Sequence, residues 1–113
     1  MPVVQPRSLW EESGRAETFT PPLATFEDRR ERKMVLAPTN EETATVMAKA
    51  SVTSYRDLPF TIYHIQTKFR DETRPRGGLL RAREFEMKDA YSFDADDEGM
   101  DRRFQAMVGA YKR

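Results

Sequence analysis

The stretch FRDETRPRGGLLRAREF, residues 69–85, sets Arg70, Arg74, Arg76, Arg81 and Arg83 around the glycine pair Gly77-Gly78 and between two phenylalanines. Guanidinium groups suit phosphate because their fixed fork of donors meets two oxygens at once. An aromatic ring nearby, here Phe85, offers a flat surface for a nucleobase, and twin glycines let a loop swing close to a ligand. Arg70 and Glu72 are two positions apart, so on a strand they share a side. The chemistry on offer is phosphate or nucleotide handling. A solvated arginine-rich ribbon without a ligand fits the same residues, and the pattern alone leaves both open.

The elements that must hold these residues can be outlined. Pro59 breaks the chain ahead of FTIYHIQTKFRDE, which alternates as a strand should. Tyr63, Ile65, Thr67 and Phe69 take one face; His64, Gln66, Lys68, Arg70 and Glu72 take the other. Residues 73–80 form a loop, and residues 80–88 return as a second strand with Arg81, Arg83, Phe85 and Met87 on one face. His64 reads as a strand-surface residue, and Gln66 and Lys68 as neighbours of Arg70 rather than ligands.

Upstream, residues 2–5 form a short strand. Ser8-Leu9-Trp10-Glu11 reads as a capping box for a short helix that Gly14 ends. Residues 23–26 and 33–37 flank the charged turn Asp28-Arg29-Arg30-Glu31, as in a hairpin. Thr39-Asn40-Glu41-Glu42 is a second capping-box pattern, opening a helix to about Val52 with Val46, Met47 and Ala50 as its apolar stripe. By this reading Thr39 and Glu41 simply cap and charge a helix start. Residues 94–97 cap a last helix in which Phe104, Met107, Val108 and Tyr111 recur at helical spacing, a core-packing stripe. The acidic run over 94–101 reads as a solvated helix start, not a metal site.

Composition narrows the function classes. A chain of 113 residues is one domain or a piece of one. No apolar run approaches the ~20 residues of a membrane span. The start MPVVQPRSLW lacks the basic and apolar regions of a secretory signal. With no cysteine and one histidine, His64, disulfides, thiolate metal sites and histidine-rich metal sites are excluded, and a reducing, cytoplasmic setting fits. Nineteen basic and nineteen acidic residues cancel, which argues against polyanion binding driven by overall charge. The charge is sorted locally: residues 68–88 hold seven basic and four acidic side chains, whereas residues 89–101 hold six acidic and no basic ones. Any nucleic-acid contact should come from the first block.

Three stretches in order carry a resemblance. Phe69-Arg70-Asp71-Glu72, a loop, and Arg81-Ala82-Arg83-Glu84-Phe85 resemble motif 2 of the class II aminoacyl-tRNA synthetases, F-R-x-E followed by R-x-x-x-F. The longer string IQTKFRDETRPRGGLLRAREFEMKDAYSFD is similar to the bacterial prolyl-tRNA synthetases. VLAPTNEE resembles that family's Thr-x-Glu loop at Thr39-Asn40-Glu41, and MPVVQPRSLWEESGR resembles the stretch leaving motif 1, closing at Pro2-Val3-Val4.

The resemblance implies an α+β fold, part of a class II catalytic core with an antiparallel sheet and helices on one side. It implies ATP-dependent activation of L-proline to prolyl-adenylate and transfer to tRNA(Pro). Arg70 would grip the α-phosphate and the amino-acid carboxylate as the catalytic residue. Glu72, Arg81 and Phe85 would bind ATP, with Phe85 under the adenine. Thr39 and Glu41 would receive the secondary amine of proline, and Arg74 and Arg76 would meet the tRNA acceptor end. Mg2+ is implied by the family with no ligand in this chain, and the full-length enzyme is expected to be a homodimer without a membrane. Motif 3, the anticodon-binding domain and the editing insertion have no counterpart here, so residues 1–113 read as an internal fragment, a poor catalyst alone. The family's loop commonly carries glycine and often histidine where Ala37 and Asn40 stand. Two other readings are a non-catalytic synthetase-like module that holds nucleotide or RNA, and a purely structural charged sheet.

Overall fold

The computed structural model describes residues 1–112. The α+β reading is borne out, but the strands divide into two antiparallel sheets. In the first, β3 (Lys33–Leu36) lies between β1 (Val4–Pro6) and β2 (Thr25–Glu27), with Gln5 opposite Val35 and Phe26 opposite Met34. The β2–β3 turn is the predicted charged one. Asp28 accepts the N–H groups of Arg30 and Arg32 at 2.8 and 3.0 Å and pairs with the Arg32 guanidinium.

Helix α1 (Arg7–Glu12) starts earlier than its capping pattern suggests. Pro6 is the N-cap, and no side chain caps the helix. Ser8 is already inside the first turn, and the Glu11 carboxylate is taken by Arg7 four residues back, 3.0 Å away. Gly14 follows the helix end with φ +74, the left-handed position where glycine is favoured. From α1, Trp10 enters a small core with Val35, Ala37, Ala44 and Ala48. Its indole N–H donates to Gln5 Oε1 at 3.0 Å, so the one polar atom of a fully buried ring is satisfied.

Helix α2 (Glu41–Ser51) follows Asn40, and the expected capping box does not form. Its apolar stripe is corrected as well. Val46 and Met47 are 47% and 43% exposed, while Ala44 and Ala48 face inward. Helix α1 and strand β5 both approach α2, whose buried positions are Glu42, Ala44 and Ala48.

The second sheet pairs β4 (Phe60–Phe69) with β5 (Glu84–Phe93) over ten residue pairs. The return strand therefore begins four residues later than the sequence suggests and runs to Phe93. Residues before it are engaged in the loop, where Leu80 N–H bonds to Gly77 O at 3.1 Å and Arg76 bridges Arg81. Arg81 and Arg83 thus stand outside the strand that carries Phe85 and Met87.

Helix α3 (Asp97–Tyr111) is capped as predicted, Asp96 accepting the Gly99 N–H. Its stripe is not core. Phe104 and Tyr111 are 63% and 58% exposed, and no residue of the helix is buried. A two-stranded sheet is too narrow to cover the face that the spacing defines. Among the described residues, no helix is long and apolar enough to cross a membrane.

Candidate functional site

The period-two pattern of β4 turns out to bury the polar side. His64, Gln66 and Lys68 face inward, whereas Tyr63 and Ile65 are exposed. The register sets His64 opposite Asp89 and Lys68 opposite Phe85, so Phe85, Met87, Asp89 and Tyr91 share that inward side. Polar side chains on a covered face need partners, because an unpaired buried charge is expensive.

At one end stands Arg70. Its guanidinium carbon is 5.4 Å from the Phe85 ring centroid, and its Nε donates to Pro38 O at 3.2 Å. Phe69 N–H bonds to Ala37 O at 3.0 Å. These contacts tie the segment that leads into Thr39 to the end of β4, beside Arg70 and Phe85. A guanidinium over an aromatic face keeps most of its N–H edge free for an anion.

Glu72 and Arg81 are joined to each other: Arg81 Nε and one terminal nitrogen donate to Glu72 Oε2 at 3.0 and 2.7 Å. Arg83 donates to Glu72 O at 2.9 Å. Arg74 and Arg76 lie on the exposed loop, and neither side chain pairs with a carboxylate among the described residues. Gly77 and Gly78 have φ of +70 and +61. A Cβ on Gly77 would meet Leu80 Cβ at 3.3 Å, so both backbone angle and space favour glycine in this turn.

Deeper in, the ammonium of Lys68 has no exposed surface. It lies 3.0 Å from Asn40 Oδ1, 3.1 Å from Asp89 Oδ2 and 3.1 Å from His64 Nε2. Asn40 and Asp89 accept two of its N–H groups, and His64 can accept the third in one tautomer only. His64 Nε2 is also 3.0 Å from Asp89 Oδ1, and one ring nitrogen cannot both accept from Lys68 and donate to Asp89. Acceptance leaves the ring neutral with its proton on Nδ1, and donation frees one Lys68 proton. Tyr91 completes the chain, its hydroxyl donating to Asp89 Oδ2 at 2.5 Å and accepting the Asn40 N–H at 3.2 Å. Burial pushes the Asp89 carboxyl up. The Tyr91 hydrogen bond, the Lys68 ammonium and His64 outweigh it and hold that carboxyl below the ordinary value. Burial and then Asp89 push the Tyr91 hydroxyl upward, and the Thr39 hydroxyl opposes them through a hydrogen bond.

This network is a correction to the reading of His64 as a surface residue, its side chain being 11% exposed. It was also missed as a unit. The alternation of β4 announced a row of His64, Gln66 and Lys68, but the partner strand that neutralises it could not be registered from sequence. Among the described residues, no group of three or more His, Asp or Glu is arranged to hold a metal ion.

Glu41 is held from the other side. Arg15 lies 3.3 Å from Glu41 Oε2 and 2.9 Å from Glu42 Oε1, and its guanidinium sits over Trp10 and Phe19 at 5.3 and 5.2 Å. The Glu42 side chain is 3% exposed, with Ser13 Oγ donating to it at 3.0 Å. Arg15→Ala leaves that buried carboxylate with one hydroxyl for company. The expected loss is about 2–3 kcal/mol of stability. Unfolding followed by the fluorescence of Trp10, the sole tryptophan, checks it.

Residues 25–113 match the family model of the tRNA synthetase class II core domain (G, H, P, S and T). The chain is 56% identical over 111 residues to a proline–tRNA ligase of Halothermothrix orenii, covering 98% of this chain and 20% of that protein. It is 57% identical over 113 residues to the one of Bordetella pertussis, covering 100% and 20%. The chain therefore spans about a fifth of the length of these curated relatives. Among solved structures it resembles Giardia lamblia prolyl-tRNA synthetase in complex with prolyl-adenylate, with TM-score 0.85 and 28% identity over 96% of this chain and 23% of that one. The RNA binding domain of Cryptosporidium parvum threonyl-tRNA synthetase aligns with TM-score 0.81 and 25% identity, over 98% and 28%.

Proposed function

This chain belongs to the class II tRNA synthetase core-domain family, and we propose that it is part of the catalytic core of a proline–tRNA ligase, with Arg70 as a catalytic residue. One observation carries the reading. The Arg70 guanidinium stands over Phe85 while its Nε is bonded to the carbonyl just before Thr39, joining a phosphate-type donor and a stacking surface to the start of the Thr39-Asn40-Glu41 segment. The relatives' shared name supports it, as does the prolyl-adenylate in the Giardia lamblia complex.

In the proposed reaction a carboxylate oxygen of proline attacks the α-phosphorus of ATP in line. The bond to the bridging oxygen breaks, pyrophosphate leaves, and prolyl-adenylate remains. The terminal hydroxyl of tRNA(Pro) then attacks the prolyl carbonyl, loses its proton, and AMP departs. Neither step needs a side-chain nucleophile. Arg70 brings the two negative reactants together and spreads the charge that develops between them. Thr39 and Glu41 receive the secondary ammonium of proline. Glu72 and Arg81, already paired, orient ATP as a unit, and Phe85 lies under the adenine. Arg74 and Arg76 approach the acceptor end of the tRNA, where exposed charges on a loop suit a phosphate backbone.

Mg2+ would arrive on the phosphates of ATP, and no residue of this segment is assigned to it. On this reading the complete ligase is a homodimer that works in the cytoplasm. The test is pyrophosphate exchange into ATP by a complete ligase carrying this segment. Exchange stimulated by proline and not by other amino acids is the expected outcome. Absence of proline-dependent exchange with retained RNA binding would favour the non-catalytic module instead.

A further inference from the structure

Asn40 occupies the middle of Thr39-Asn40-Glu41, is fully buried, and stands at the N-cap of α2 without capping it. Its backbone, at φ −135 and ψ 23, belongs to neither the strand nor the helix region. A fully buried amide must find partners for its oxygen and its nitrogen in its surroundings. The surroundings are on the second sheet. Lys68 Nζ donates to Asn40 Oδ1 at 3.0 Å, the Tyr91 hydroxyl accepts the Asn40 N–H at 3.2 Å, and Asn40 Nδ2 reaches Gln66 Oε1 at 3.5 Å. Side chain and main chain of one residue are thus gripped by three groups of the hairpin that also carries Arg70 and Phe85.

We propose that Lys68, with Asp89 and Tyr91, is a positioning group that sets the Thr39–Glu41 loop against Arg70 and so governs the affinity for the amino acid. The inference rests on the proposed ligase function. A buried ion pair is a poor source of stability, since desolvating each ion costs several kcal/mol and an apolar pair of similar size often serves as well. Its use here follows from what it touches. Asp89 orients both Lys68 and Tyr91, and each of these ends on a different atom of Asn40. Loosening either contact frees the residue that spaces Thr39 from Glu41. Lys68 stands across from Phe85, but its ammonium bonds to Asn40 and Asp89 and not to Arg70 or Phe85, so the change is expected to fall on the amino-acid side rather than on ATP.

The proposal separates amino-acid affinity from nucleotide affinity and from stability. In the complete ligase, Tyr91→Phe removes one hydroxyl at constant ring volume. It is expected to raise the proline KM about 5- to 10-fold, the scale of one neutral hydrogen bond, here the one that holds the Asn40 N–H. Lys68→Met is expected to raise it about 10- to 100-fold, with the ATP KM changed less than about twofold. The double variant Lys68→Met/Asp89→Leu replaces the ion pair with apolar groups, restoring thermal stability while the proline KM stays high. A merely structural pair predicts that both recover together. Where Lys68→Met fails to fold, Tyr91→Phe and the double variant decide. A proline KM within twofold of the unsubstituted ligase in both, or proline and ATP KM values rising in parallel, overturns the proposal. An unsubstituted ligase without proline-dependent exchange sinks the functional reading itself and this inference with it.

Discussion

Arg70→Ala is expected to cut proline-dependent pyrophosphate exchange by about 10²–10³-fold, the cost of one preorganised donor aimed at transition-state charge. Among the described residues the Arg70 side chain makes one hydrogen bond, to Pro38 O at 3.2 Å, and one aromatic contact, to Phe85. The fold therefore loses little and the chemistry loses much. Thermal unfolding should be nearly unchanged while the rate collapses. Arg70→Lys recovers only a small part, because an ammonium on a flexible stem cannot present two parallel donors to phosphate and carboxylate at once. Equal loss of stability and rate would assign Arg70 a role in tying the 37–41 loop to β4 instead.

The second large effect is expected at Glu41. Glu41→Ala should raise the proline KM about 100-fold, corresponding to ~2.7 kcal/mol, and leave the ATP KM almost untouched. Glu41→Gln keeps the shape and a hydrogen-bonding oxygen but not the charge, so its KM falls between. The Glu41 carboxylate is 51% exposed and stands 3.3 Å from Arg15. It is therefore held in place by a cation yet open to a second one, as a receptor for a secondary ammonium must be. Initial-rate kinetics at varied proline and saturating ATP measure the effect.

Much of this neighbourhood is legible in the sequence. The alternation along 60–69 already grouped His64, Gln66 and Lys68 with Arg70, and β4 keeps the first three on one side. The turn chemistry of Asp28 and the cap at Asp96 were also readable, because both depend on residues a few positions apart. What failed was tertiary. The Thr39-Asn40-Glu41-Glu42 pattern is a correct local signal for the start of α2. A buried lysine from another sheet, however, draws the Asn40 side chain away from capping. The register of β5 could not be read across residues 70–83, so Asp89 and Tyr91 gave no hint that they complete the Lys68 cluster. Helical spacing told which residues of α3 share a face, not what covers it, and Phe104 and Tyr111 lie largely open. Val46 and Met47 on α2 repeat the lesson. Periodicity defines a stripe, and only packing decides whether it is inside.

A crystal structure of a complete ligase carrying this segment, bound to a non-hydrolysable prolyl-adenylate analogue, addresses the core assignment most directly. The expected result is the Arg70 guanidinium within hydrogen-bond distance of the group replacing the α-phosphate, the adenine stacked on Phe85, and the prolyl nitrogen between Thr39 and Glu41. An analogue bound elsewhere, with Arg70 still turned only toward Phe85 and Pro38, would contradict it.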